Sequence, residues 1–329
     1  MIFYITSDNL SIKIDKEFSP YEFDVFIDQN RYNITSLEII NCDWLISIPV
    51  LPNLTNLNCS YCERLKRIQD LPNLTTLRSI CCQGLTSIPV LPNLTSLDCS
   101  YSKYLTSIPE LPNLTSLDCR FCYGLTSIPV LSNLNTLNCM GCHGLTSIPV
   151  LPNITTLNCT ECDGLTSIPV LPNLTTLNCI ECVRLTSIPV LSNLTTLKCR
   201  FCYGLKEIPA LLNLSTLNCT GCSGLTGIPV LPNLTNLFYK ECPNLSISTV
   251  PIKFISNLDT DTLIKCLRYN PYNIRDMLGK PELLGQSTTL NIIREYLEYA
   301  EGDALLELEG LLAENNIPLP MLVKPANRV

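Results

Sequence analysis

The sequence predicts an α/β solenoid: a curved right-handed superhelix with a parallel sheet on its concave side, an extended, polyproline-like convex side and a helical C-terminal cap. Three observations predict it. Residues 34–253 repeat with a period of 20 and no insertions. Within each copy one short stretch alternates apolar and polar side chains, the pattern of a strand with one buried face. Each copy then carries prolines, as in Ile168-Pro169-Val170-Leu171-Pro172, which remove amide donors and fix φ. The return path is therefore extended and not helical.

The copy from Ile154 to Asn173 reads ITTLNCTECDGLTSIPVLPN, and the consensus is L-x-x-L-x-C-x-x-C-x-x-L-T-x-I-P-x-L-P-N. Units open at Ile34, Leu54, Leu74, Leu94, Leu114, Leu134, Ile154, Leu174, Leu194, Leu214 and, degenerating, Leu234. Positions are numbered below from that first residue. The pattern resembles the leucine-rich repeat family, whose signature has apolar residues at the first, fourth and sixth positions and Asn or Cys at the ninth. The 20-residue length and IPxLPN ending are similar to the short repeats of bacterial effector proteins, the ninth-position cysteine to the cysteine-containing subtype. The monotony of the copies is similar to repeat proteins of giant amoebal viruses.

Each element follows in order. Residues 1–33 are expected to form a β-rich N-terminal cap: Leu10, Ile12 and Ile14 alternate in one run and Tyr21, Phe23, Val25 and Ile27 in the next, separated by Ser19-Pro20. Such a cap would cover the first sheet edge. In the repeats at 34–253, Leu117 and Cys119 face one way and Ser116, Asp118 and Arg120 the other. Strands arriving in phase every 20 residues lie parallel, about 4.8 Å apart. A turn around Gly124, with Gly also at 84, 144, 164, 204 and 224, is the place expected to tolerate a left-handed conformation. One unit cannot bury enough to fold alone, so stability is a sum over neighbours and both ends need caps. After Pro251 helical signals replace the prolines: Leu290, Ile293 and Leu297, then Leu305, Leu308 and Leu312, recur at i, i+3, i+7. Residues 254–315 are read as a helical cap or mini-domain and 316–329 as an extended tail.

Composition excludes several functions. Lys+Arg number 22 against 29 Asp+Glu, a net charge of −7, so no basic surface for nucleic acid is present. A single His leaves little material for acid–base catalysis. No stretch approaches the ~18 apolar residues of a membrane span. The N-terminus lacks the basic and apolar regions of a signal peptide, so a cytoplasmic chain with reduced thiols is expected, in host cytoplasm if the chain is viral. In that compartment the Asn-x-Thr triplets, such as Asn53-Leu54-Thr55, are by-products of the repeat.

Twenty cysteines are the compositional outlier. Cys119-x-x-Cys122 and Cys139-x-x-Cys142 fit a zinc spacing literally, but that spacing is the repeat itself. Ser79, Ser102, Ile39 and Tyr239 interrupt it singly. The thiols are read as core ladders, small and weakly donating, and no metal or other cofactor is expected. His143 beside Cys142 is not read as a nucleophile–base pair, because the ninth position points inward and the tenth outward. Effectors with similar repeats carry a ubiquitin-ligase domain with one nucleophilic cysteine; the resemblance fails at Cys266-Leu267-Arg268, which lacks the acidic residue two positions on.

Variation concentrates at the seventh, eighth and tenth positions. Arg120-Phe121-Cys122-Tyr123-Gly124 recurs as Arg200-Phe201-Cys202-Tyr203-Gly204, about 19 Å along the stack. Tyr61 and Tyr101 add aromatics to the same edge, and Lys198 breaks the Asn/Asp column of the fifth position. Arg and aromatic residues on an accessible rim have the composition of binding hot spots. The expected function is a non-catalytic protein-interaction scaffold using the concave face and this rim, with no nucleic acid, membrane or small-molecule substrate. The alternatives are a host-directed effector recruiting or acting in ubiquitin transfer through the C-terminal segment, and a metal- or thiol-binding repeat protein.

Overall fold

The computed structural model describes residues 2–6, 9–14, 17, 19–246 and 249–251. The segments expected as a helical cap (254–315) and a tail (316–329), with Cys266, lie outside them. The chain divides into two compact units. The first holds Met1–Leu205, Leu211–Gly224 and Asn233–Cys242; the second holds Lys206–Ala210, Leu225–Pro232 and the residues from Pro243 onward.

In the first unit a 13-stranded sheet runs from β1 (Ile2–Thr6) and β2 (Asn9–Ile14) through β3 (Ile34–Ile39) to Asn236–Phe238. β1 and β2 are antiparallel, and every later pairing is parallel. From Asn56–Asn58 onward each strand is only three residues, positions three to five. Identical residues pair in register, Leu137 with Leu117 and Leu157, because the repeat has no insertions.

The buried residues are those of the consensus. In the unit that opens at Ile154, the side chains of Ile154, Leu157, Cys159, Cys162, Leu165, Ile168 and Leu171 are all buried. The return paths of the units from Ile34 through Leu214 contain no helix; positions 14 and 15 form only minimal parallel pairs, such as Ser47–Ile48 with Arg67–Ile68 and the bridge Ser167↔Ser187. The proline carbonyls are used instead. Asn73 Nδ2 donates to the Pro52 carbonyl at 2.8 Å, and the twentieth-position Asn repeats this bond onto the nineteenth-position carbonyl of the preceding unit. Ser132 and Ser192 serve equally well, since the acceptor is backbone.

Two expectations are corrected. The run Tyr21-Phe23-Val25-Ile27 is not a strand but lies in helix α1, Pro20–Asn30, which buries Phe23 and Ile27 and leaves Tyr21 exposed. Ser19 and Glu22 close a capping box, with Pro20 in the first turn, and these terminus signals outweigh the alternation. The cap therefore combines β1, β2 and one helix. The left-handed residue is not the glycine of the eleventh position but the eighth-position residue: Tyr61, Tyr101, Phe121, Glu161 and Phe201 have φ between 57° and 60°. Its N–H reaches the seventh-position carbonyl of the next unit, as from Phe121 to Met140 at 2.7 Å. The eleventh-position glycine answers a close approach: a Cβ on Gly84 would sit 2.7 Å from the Leu65 carbonyl oxygen.

The second unit, as described, is held by backbone bonds from Thr226 to Lys206 (3.2 Å) and from Ser246 to Thr226 (2.9 Å). The Thr249 hydroxyl receives the Ile228 N–H at 3.0 Å.

Candidate partner-binding surface

Cysteines fill two buried columns. From the second unit on, each ninth-position thiol donates to the sixth-position carbonyl of the preceding unit: Cys82 to Cys59 at 3.1 Å, Cys142 to Cys119 at 3.1 Å, Cys182 to Cys159 at 3.0 Å and Cys222 to Cys199 at 2.9 Å. Each of these bonds crosses from one unit to the next, so the rung joins adjacent units and is not the C-x-x-C within one. Sharing a hydrogen bond with Cys82, with burial second, holds the Cys59 thiol well above its ordinary value; Cys119, Cys159 and Cys199 follow the same rule. Cys82, Cys142, Cys182 and Cys222 accept that bond and are the more acidic members. Cys62 faces Ile39 instead of a thiol, and burial pushes it up to about 12.

This pairing revises the expectation that serines interrupt the cysteines singly. Ser79 and Ser102 are the two members of one rung, and Ser102 Oγ donates to the Ser79 carbonyl at 3.0 Å. Among the described residues no group of three His, Cys, Asp or Glu side chains could hold a metal ion.

The fifth-position column has a local task. Asn58, Asp98, Asp118 and Asn158 accept the seventh-position N–H at 3.2 Å, an Asx turn that leads the chain into the left-handed eighth residue. Asp118 also meets Arg120 at 3.1 Å and Asn138 at 3.3 Å. Burial raises its carboxyl above the ordinary value despite Arg120. Arg78 pairs with Asp98 at 3.7 Å, and Lys198 projects exposed from the same face.

Along the turn edge, residues from successive units meet. Tyr101 and Phe121 have ring centroids 4.9 Å apart, Phe121 and Tyr123 6.4 Å, and Tyr123 stacks on His143 at 5.4 Å. His143 Nδ1 lies 3.1 Å from the Asp163 carboxylate. Tyr101 and Tyr123 are each 43 % exposed, whereas the Phe121 ring is half-buried over Gly141, which has no Cβ to obstruct it. The second copy of the block repeats the device, with Phe201 over Gly221, Phe201 6.4 Å from Tyr203 and Arg200 5.1 Å above the Phe201 ring. Tyr61 is exposed two units before Tyr101, with the half-buried Cys81 between them in the column.

His143 is the member that sequence reasoning missed, having been weighed only as a base for Cys142. Its tenth position, outward and in step with Tyr123, was the available signal. A further feature was not foreseen. An open groove of about 730 Å³ is lined by twentieth-position Asn and second-position Thr side chains, from Asn53 to Asn153. Its hydroxyls are committed to the scaffold: Thr75 Oγ1 donates to the Thr55 carbonyl at 3.0 Å, and Thr95 repeats this onto Thr75.

No family model matches the chain, and no curated protein matches it in sequence. Among solved structures it is similar to a leucine-rich repeat protein from Bacteroides ovatus, with 21 % identity over 65 % of this chain and 66 % of that one, TM-score 0.49. One from Eubacterium ventriosum shares 16 % identity over 69 % and 81 %, TM-score 0.41. The functional domain of InlJ from Listeria monocytogenes, described as including a cysteine ladder, shares 23 % identity over 65 % and 57 %, TM-score 0.33. The chain thus spans less than two thirds of the Bacteroides ovatus and InlJ chains.

Proposed function

We propose that this leucine-rich-repeat chain is a non-catalytic scaffold that binds a protein partner through its sheet face and aromatic turn edge. The observation that carries the reading is the run Tyr101–Phe121–Tyr123–His143, in which side chains from three successive units form one surface. Rigid aromatic rings preset in this way lose little entropy on binding, and Arg120 and Arg200 beside them supply the charged component of a hot spot. Lys198 and Arg78 give the sheet face positive points in a column of Asn and Asp. A cytoplasmic location accords with thiols held in hydrogen-bonded rungs.

The test is affinity recovery from cell extract with the full chain and with a Tyr101→Ala/Tyr123→Ala/Tyr203→Ala variant. These rings are exposed, so the fold survives their loss, whereas Phe121 and Phe201 cover glycines and are left in place. Recovery of specific partners should fall at least roughly tenfold, the effect of losing one hot-spot residue. Unchanged recovery would sink the assignment of this edge.

A further inference from the structure

The ladder ends differently from how it proceeds. Cys219 and Cys242 form its last described rung: Cys242 Sγ donates to the Cys219 carbonyl at 3.1 Å, and Cys219 Sγ to the Phe238 carbonyl at 3.5 Å. Both members of every earlier thiol pair are buried, but Cys242 is half-exposed. The sixth position of the final unit is Tyr239, so no further thiol column covers it from that unit. Ser79 and Ser102 provide a second, independent observation. Their rung keeps the cross-unit bond, Ser102 Oγ to the Ser79 carbonyl, with sulfur absent on both sides, so the contact that joins two units is the sixth-to-ninth pair and not the C-x-x-C within one.

We infer that Cys219 and Cys242 are a peroxide-responsive dithiol, Cys242 being the attacking sulfur and Cys219 the resolving one. The Cys242 thiolate attacks one peroxide oxygen, the O–O bond breaks, and Cys242 becomes a sulfenic acid while hydroxide takes up the released proton as water. The Cys219 sulfur then attacks the sulfenic sulfur, loses its proton and expels a second water. Two thiols are oxidised by two electrons and hydrogen peroxide is reduced to two waters, leaving a Cys219–Cys242 disulfide. The order of attack follows the environments. A hydrogen bond from the Cys219 thiol, aided by the backbone of Cys222 and Gly221, brings Cys242 down to about 7, while that bond and burial hold Cys219 far above the ordinary thiol value. Such a bond would staple the unit of Leu234 to that of Leu214, at the end of the described sheet, where Asn236–Phe238 pairs with a strand on one side.

The experiment uses the full chain with Cys81→Ser and Cys266→Ser, which removes a half-buried thiol without a rung and the one cysteine outside the repeats. Iodoacetamide on native protein should label Cys242 roughly tenfold faster than any other cysteine, because only an accessible thiolate reacts. Stoichiometric hydrogen peroxide should then remove two free thiols and give a Cys219–Cys242 cross-linked peptide on non-reducing mapping. Adding Cys242→Ser should abolish the cross-link, and adding Cys219→Ser should leave a sulfenic acid at Cys242 that dimedone traps. Ser102 already occupies the equivalent place in its rung, so the serine variant retains the fold, checked by circular dichroism. Slow, uniform labelling of all cysteines, or peroxide consumption without that cross-link, overturns the inference.

Discussion

A buried thiol in this chain does two jobs, filling space as a small apolar group and donating to a carbonyl that the strand ladder leaves over. Cys162→Ser keeps the donor to the Cys139 carbonyl and should cost only about 1 kcal/mol, whereas Leu157→Ala opens a cavity and should cost ~2–5 kcal/mol, both read by urea denaturation. The eighth position makes a sharper demand. Glu161 sits at φ 57°, and Glu161→Val should destabilise by about 1–2 kcal/mol, since a β-branched side chain is strained there. The requirement is written in the sequence as an omission. Asn, Tyr, Cys, Phe, Glu and Gly occupy the eighth position, and none of the plentiful Thr, Val or Ile does. Reading which residues are present pointed to Gly124; asking which are missing would have pointed one turn residue group earlier, to Phe121. The cysteine rungs were hidden for a related reason, because partners 23 residues apart are invisible to a scan for C-x-x-C.

At the scale of elements, the helix α1 shows where periodicity loses to end signals. Tyr21, Phe23, Val25 and Ile27 alternate as in a strand, but Phe23 and Ile27 are also four apart, and only they are buried. The Ser19 hydroxyl and amide both donate to Glu22, at 2.7 and 2.9 Å, and hold its carboxyl below the ordinary value. A carboxyl lowered in this way supports the helix above its unfolded value, and the support is lost as pH falls through its folded value. The helical signal of α1, followed by amide NMR, should therefore weaken as the solution is acidified through the folded value of Glu22, below the ordinary carboxylate range, and Glu22→Gln should flatten that response. The aromatic edge is likewise a matter of matched pieces. Gly141→Ala should displace the Phe121 ring and reduce its contact with Tyr101, seen as a change in Phe121 ring-proton shifts; Phe121→Ala combined with it should be less damaging than the two single effects added. From the sequence, the doubled Arg-Phe-Cys-Tyr-Gly block was visible, but the glycine at position eight of the next unit, which makes room for each phenylalanine, was not recognised as part of it.

For the molecule as a whole, exact spacing matters more than any one contact. Deleting residues 154–173 joins Asn153 to Leu174 in the same register, restoring the Asn amide bond, the threonine bond and the thiol rung with new partners of the same kind. The shortened chain should remain folded and monodisperse, with a melting temperature within a few degrees of the parent, as nearest-neighbour stability implies. Removing ten residues instead would set cysteines against prolines and leucines against polar positions, and abolish cooperative melting. The same uniformity governs how the sheet would yield to mechanical load. Every internal turn is fastened by a near-identical set of bonds, so tension applied along the stack would find its weakest purchase at a terminus and peel the chain one turn at a time. Each release would lengthen the tether by about 60 Å, twenty extended residues less one strand spacing, and a single-molecule trace would show an evenly spaced staircase in place of one abrupt rupture.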